Sequence, residues 1–264
     1  MKKLGSILIL FIVCILSVSV QAAITFVKST STAPECRTSG ATNLSCSFAT
    51  LPSVGSMIVV TVGCWNASSV CTLLSVTDNQ GNTYTQAICS SDNSPSGSRN
   101  CIYHDLSIGT PSGTFTITVN GSTTNNAIVM GAIEYSVTSG PAILDITLQN
   151  ISTSTSADCS TGTSGTTTAA NELVVASCVD DANDSTLNFT TATTGYTNQF
   201  REDEASTYIG FSVDTKTVVS TGTQSANWTH DNVNQAGWEA LLVTYKETAV
   251  AASCGNRLLM GVGC

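Results

Sequence analysis

Gly113-Thr114-Phe115-Thr116-Ile117-Thr118-Val119 sets Phe115, Ile117 and Val119 on one side of an extended chain and three threonines on the other. Alternation with a period of two, carried by β-branched and aromatic residues, predicts a strand with one dry and one wet face. Working outward, stretches of the same kind recur at 24–28, 57–64, 72–76, 101–106, 128–135, 144–148, 173–178, 196–200, 207–213, 224–228 and 238–246. Nowhere do apolar residues hold the spacing of a helix face. Turn chemistry separates the stretches, as in Asp78-Asn79-Gln80-Gly81-Asn82, Asn93-Ser94-Pro95-Ser96-Gly97 and Asn120-Gly121. Such a string of punctuated strands predicts an all-β chain, an antiparallel two-sheet sandwich of jelly-roll-like form, as one domain over 23–247.

The chain also echoes itself. Val59-Val60 with Cys64 returns as Val174-Val175 with Cys178, and Gly81-Asn82-Thr83-Tyr84 as Gly195-Tyr196. Cys101-Ile102-Tyr103 corresponds to Thr207-Tyr208-Ile209, the 113–119 strand to 222–228, and Ala132-Ile133-Glu134-Tyr135 to Leu242-Val243-Thr244-Tyr245. Two similar β-motifs, about 55–137 and 170–247, are expected to face each other, with the Ser/Thr/Gly-rich stretch 151–168 either joining them or including a polar edge strand.

Met1-Lys2-Lys3, the apolar run 7–20 and Gln21-Ala22-Ala23 read as a signal peptide over 1–22. The run is too short to span a bilayer, and no second candidate span follows. Cys14 is preceded by Val13 and lacks the small residue expected before a lipid-modified cysteine, so no lipid anchor is expected. Without Lys2 and Lys3, seven basic residues face eighteen acidic ones, a net charge of −11. That balance argues against nucleic acid as a partner and favours attraction of divalent cations.

Beyond the signal peptide ten cysteines remain. In sequence order they form close couples: Cys36 with Cys46, Cys64 with Cys71, Cys89 with Cys101, Cys159 with Cys178, and Cys254 with Cys264. Each couple closes a local hairpin or loop, and each bond is expected to contribute about 2–4 kcal/mol. Spacing alone leaves crossed pairings such as Cys46 with Cys64 open. CxxC spacing is missing, which argues against a thiolate zinc site. A disulfide framework of this density predicts an exported, oxidised protein.

The chain supplies few groups for chemistry. Asp78 and Asn82, around a glycine turn, and the acidic run of Asp180, Asp181 and Asp184 are candidate calcium ligands, without the closing glutamate of an EF-hand. The competing reading is a tight turn for the first and a solvated loop for the second. His104 and His230 each precede an aspartate, but adjacent strand residues point to opposite faces, so neither dipeptide forms a relay, and both histidines are expected to be exposed. Glu134, in an otherwise apolar strand, is the candidate acid of a glycan hydrolase, although no carboxylate lies two residues away and the competing reading is an edge or partly covered structural glutamate. Trp65, directly after Cys64 at a strand end, is the candidate platform for a sugar, whereas Trp228 and Trp238 follow core alternation.

Val76-Thr77-Asp78-Asn79-Gln80-Gly81-Asn82-Thr83-Tyr84, Cys101-Ile102-Tyr103, Thr114 to Val119, Ala132-Ile133-Glu134-Tyr135-Ser136 and the 238–246 strand resemble a broad, mostly uncharacterised group of secreted bacterial β-sandwich surface proteins. The resemblance covers roughly 50–246. It implies an extracellular or envelope role and no particular chemistry, because the matching positions are turn and core residues.

The expected function is that of a secreted, non-catalytic structural or adhesive surface protein, a self-assembling filament or layer subunit. The arm 23–28 and the tail 248–264, with its apolar segment, are the candidate segments for addition to a neighbour's sheet edge, and the competing reading is an intramolecular first strand and a small disulfide-closed tail. The alternative is a carbohydrate-binding module acting through Trp65 with calcium, so that the partner is either a second copy or a surface glycan. A glycan-active hydrolase ranks third.

Overall fold

The computed structural model describes residues 23–30, 36–91, 97–152, 158–182, 189–190, 192–202, 209–229 and 235–248. The signal peptide, most of the C-terminal tail with Cys254 and Cys264, and also Asp184 and His230, lie outside the described residues. Within the first half the strands are β1 (Thr25–Ser29), β2 (Arg37–Ser47), β3 (Met57–Trp65), β4 (Leu73–Asp78), β5 (Thr85–Cys89), β6 (Ser98–Asp105) and β7 (Thr116–Ser136). In the second half they are β8 (Ala142–Ser152), β9 (Cys159–Ser160), β10 (Glu172–Ala182), β11 (Thr197–Glu202), β12 (Ile209–Val218), β13 (Asn227–Trp228) and β14 (Gln235–Glu247). The chain is an all-β, antiparallel two-sheet sandwich, and among the described residues there is no helix.

Each half of the chain builds one sheet. The first runs β1-β7-β3-β6-β5, with β2 and β4 also pairing β7, and the second runs β8-β14-β10-β12-β11. These two orders are the same, and so are the registers. Val59 lies between His104 and Ile133 just as Val175 lies between Thr215 and Val243. Tyr135 is paired with Phe26 and Met57 as Tyr245 is with Leu144 and Leu173. Even the one-residue bulges coincide: Val27 in β1 matches Asp145 in β8, and Ala87 in β5 matches Gln199 in β11. The register therefore sets Cys64 against Asp180 rather than Cys178, and Cys101 against Ser212 rather than Thr207.

Both central strands are buried on both faces, which is why Met57 to Cys64 and Leu173 to Val179 read as near-continuous apolar runs. One face of each sheet meets the other sheet. The approach is close at Gly63, where a Cβ would stand 2.8 Å from Val179 Cγ2 and 3.1 Å from Phe211, and at Gly131, where it would stand 3.1 Å from Phe200. The interface also carries a polar seam. Asn100 Nδ2 donates to the backbone oxygens of Glu239 (3.0 Å) and Ser177 (3.3 Å), Ser177 Oγ donates to Asn100 Oδ1 (3.1 Å), and Ser98 Oγ donates to Glu239 Oε1 (2.8 Å). With these partners, buried polar groups link the two halves at little desolvation cost.

Behind the first sheet, Leu44, Cys46, Val76, Ile117 and Val119 from β2, β4 and the start of β7 complete the main core. A straight stretch of ten residues would separate Cys36 and Cys46 by about 33 Å, but their Cα atoms are 5.6 Å apart, so the β2–β7 ribbon doubles back on itself. Behind the second sheet, Cys159, Phe189, Tyr196 and Trp228 cover Val174, Ala176 and Leu242 as a separate core.

Several sequence expectations change. Of the two readings of the arm, the intramolecular strand holds: 25–29 is β1, paired with β7 inside the chain. Asn120-Gly121 falls within β7, at the fold of the ribbon, where a Cβ on Gly121 would stand 2.8 Å from Thr42 O. The strand at 224–228 shortens to two residues, because among the described residues it pairs only with β9. Two strands that lack a clear apolar alternation, β2 and β5, are additions, and the two-residue β9 falls within the 151–168 stretch.

Candidate functional site

Four disulfides join the expected couples: Cys36–Cys46, Cys64–Cys71, Cys89–Cys101 and Cys159–Cys178. Cys89 and Cys101 face each other directly across β5 and β6. Cys159 fastens β9 onto the central strand β10, and so holds the outer cover of the second sheet. Such bonds fit an oxidising, extracellular-type environment.

The candidate ligating and catalytic residues turn out to be engaged in the fold. Asp78 accepts hydrogen bonds from Gln80 N (2.8 Å), Asn82 N (3.1 Å), Asn82 Nδ2 (2.7 Å) and the Tyr84 hydroxyl (3.0 Å), the pattern of an Asx turn. Asp180 and Asp181 are not in a solvated loop: the β10 ladder runs through them, opposite Gly210 and Ile209, and Asp180 is buried. Among the described residues no three His, Cys, Asp or Glu side chains converge as a metal would require. Glu134 is fully buried, accepts the Ser53 N–H at 2.6 Å and pairs with Lys28 at 3.2 Å. Trp65 is half-buried against the main core rather than displayed, while Trp228 and Trp238 are buried.

His104 is the clearest departure. It lies within β6 and faces the second sheet, buried, with Nδ1 3.1 Å from the Tyr245 hydroxyl. Burial lowers its pKa from the ordinary value, with the Asp105 charge opposing.

The equivalent place in the other half is open. Between β1 and β7 on one side and β11 and β12 on the other lies a groove of about 370 Å³, with Phe26, Tyr135, Thr197, Gln199, Thr215 and Lys216 in its lining. Phe26 is 49% exposed and stands edge-on to Tyr135, ring centroids 6.4 Å apart. Tyr135 is fully buried, and burial raises its hydroxyl above the ordinary range, with Thr215 pulling the other way. The Tyr135 hydroxyl nevertheless has no partner in hydrogen-bonding geometry among the described residues. Gln199 Nε2 donates to Thr215 Oγ1 at 2.9 Å. Asn198 holds the Gln199 bulge, its amide donating to Phe200 O and Ser212 Oγ (both 3.1 Å) and to Val213 O (3.3 Å). None of these groove residues was marked by the sequence as a site. The one available signal was the recurrence of Tyr135 and Tyr245 at the ends of the echoed segments.

A different feature stands at the opposite edge of the second sheet. Strand β8 spans eleven residues, AILDITLQNIS, and hydrogen-bonds to β14 on one side only among the described residues. Ile143 is 40% exposed. The single charge of the strand, Asp145, sits at the bulge and is tied to Lys246 Nζ at 2.6 Å and to Thr168.

Comparison with protein-family models, curated proteins and solved structures finds no match.

Proposed function

We propose that the mature chain is a secreted, non-catalytic structural or adhesive subunit of a bacterial surface that associates with copies of itself at the β8 edge. The observation that carries this reading is the eleven-residue length of β8 with no strand paired on its outer side among the described residues. Natural sheets protect long edges with outward charges, and the one charge of β8 is neutralised by Lys246 instead. An unpaired edge gains its missing hydrogen bonds only from another strand. The donor is the 249–264 segment of a second copy, which contains Val250, Leu258, Leu259, Met260 and Val262. The arm at 25–29 is already paired within its own sheet and is not the donor. A non-catalytic role is supported by the engagement of Glu134 with Lys28 and Ser53 and of His104 with Tyr245.

The test places charges on the edge. Ile143→Lys combined with Thr147→Lys, or removal of 249–264, abolishes association in sedimentation while leaving the unfolding midpoint of the subunit unchanged. Association that survives both changes contradicts the assignment to β8.

A further inference from the structure

We infer that the groove between β1 and β11 binds a neutral saccharide. The two halves of the molecule supply the comparison. Tyr135 and Tyr245 occupy the same register position, and so do Thr215 and His104. Beside Tyr245 the imidazole of His104 fills the space and meets the hydroxyl. Beside Tyr135 the shorter Thr215 leaves the cavity open, and among the described residues the hydroxyl has no partner in hydrogen-bonding geometry. A buried hydroxyl without a partner at the wall of a groove is a place where a ligand oxygen gains a hydrogen bond.

The edges of the groove are shaped as well. Val27 and Gln199 are each the extra residue of a bulge, one beside Phe26 on β1 and the other in the lining from β11. Bulges re-aim side chains next to binding sites, and here Asn198 locks one of them in place.

The chemistry of the lining selects the ligand. Phe26 offers an exposed aromatic ring on which the C–H face of a pyranose stacks. Gln199 Oε1 has no partner among the described residues, so an acceptor remains for a sugar hydroxyl. The described lining contains no carboxylate, and its one cation, Lys216, holds its Nζ 4.4 Å above the Tyr196 ring. A polar, uncharged ring with one apolar face fits this set. The site lies at the β1 and β11 edges, away from β8, and does not depend on the assembly reading.

The oxidised protein from residue 23 onward is passed over immobilised neutral oligosaccharides of glucose, N-acetylglucosamine, xylose and mannose. At least one is retained, and Phe26→Ala and Gln199→Ala each weaken retention on the order of ten-fold. Thr215→His, which sets an imidazole beside Tyr135 as His104 is set beside Tyr245, abolishes it without lowering the thermal midpoint. Retention of none of the sugars overturns the inference, as does equal retention by a folded Thr215→His protein. If Thr215→His does not fold, equal retention by Phe26→Ala and Gln199→Ala overturns it.

Discussion

Trp228 donates its indole N–H to Asp214 Oδ2 at 2.6 Å, and both residues are fully buried. Ser212 Oγ donates to the same oxygen at 2.7 Å, while Asp214 Oδ1 has no hydrogen-bond partner among the described residues. The two-residue strand β13 thus delivers a ring to the outer core and a donor to a buried carboxylate in the second sheet. Trp228→Phe keeps most of the ring and removes the donor, with an expected loss of about 1.5–3 kcal/mol for a bond to a charged group. Trp228→Ala costs about 3–5 kcal/mol. Denaturant unfolding with the disulfides intact checks both, and a Trp228→Phe protein as stable as the wild type would show that the bond contributes nothing.

Asp145 and Glu172 predict opposite slopes of stability with pH. Burial works against the Asp145 charge, but Lys246 and Thr168 outweigh it and bring the carboxyl from 3.8 down to about 2. A folded pKa below the unfolded one gives stability that is present above pH 3.8 and is lost as pH falls toward about 2. Because the Lys246 side chain is 27% exposed, the contribution is no more than about 1 kcal/mol. Glu172 is raised from 4.5 by burial, with the Thr244 hydroxyl and the Ala169 N–H opposing and Asp145 adding to it. Its contribution is therefore present below pH 4.5 and is lost as pH rises through its folded pKa. Asp145→Ala flattens the acid limb of the stability profile, and Glu172→Gln flattens the limb above it.

His104 is expected to stay neutral to lower pH than an ordinary imidazole, because burial depresses its pKa below 6.5. The linked stability is present above pH 6.5 and is lost as pH falls through the folded pKa. Two histidines occur in the chain, so a His230→Gln protein isolates the His104 imidazole resonances in a nuclear magnetic resonance titration. A midpoint at or above 6.5 would contradict the buried placement.

Gly63→Ala is expected to cost about 1–3 kcal/mol through overpacking, since the new methyl would stand 2.8 Å from Val179 Cγ2 and 3.0 Å from Val129 Cγ1. Adding Val179→Ala gives that methyl room, so the double variant loses less than the two single losses together. Strict additivity would show that the sheets do not meet at Gly63.

The parts legible in the sequence were those set by local pattern. Short β-branched stretches marked where β3 and β10 run, although not their burial on both faces, and Asp78-Asn79-Gln80-Gly81-Asn82 marked its turn through side chains that bond their own backbone. Strand β2 was hidden because only Leu44 and Cys46 in Arg37–Ser47 are strongly apolar, the rest lying on a ribbon that folds back. His104 was misplaced because its polarity suggested solvent, whereas the interface between the sheets accepts polar side chains that satisfy one another. The groove depends on which residue stands opposite a tyrosine of the other sheet, a matter of register and of a bulge at Gln199. Neither register nor bulge leaves a mark in any single stretch.

The most direct measurement is negative-stain microscopy of the oxidised protein from residue 23 onward, beside the same protein ending at residue 248. Regular filaments or layers from the first, and dispersed single particles from the second, are the predicted result. Dispersed monomers from both preparations at every concentration and salt would contradict assembly at the β8 edge.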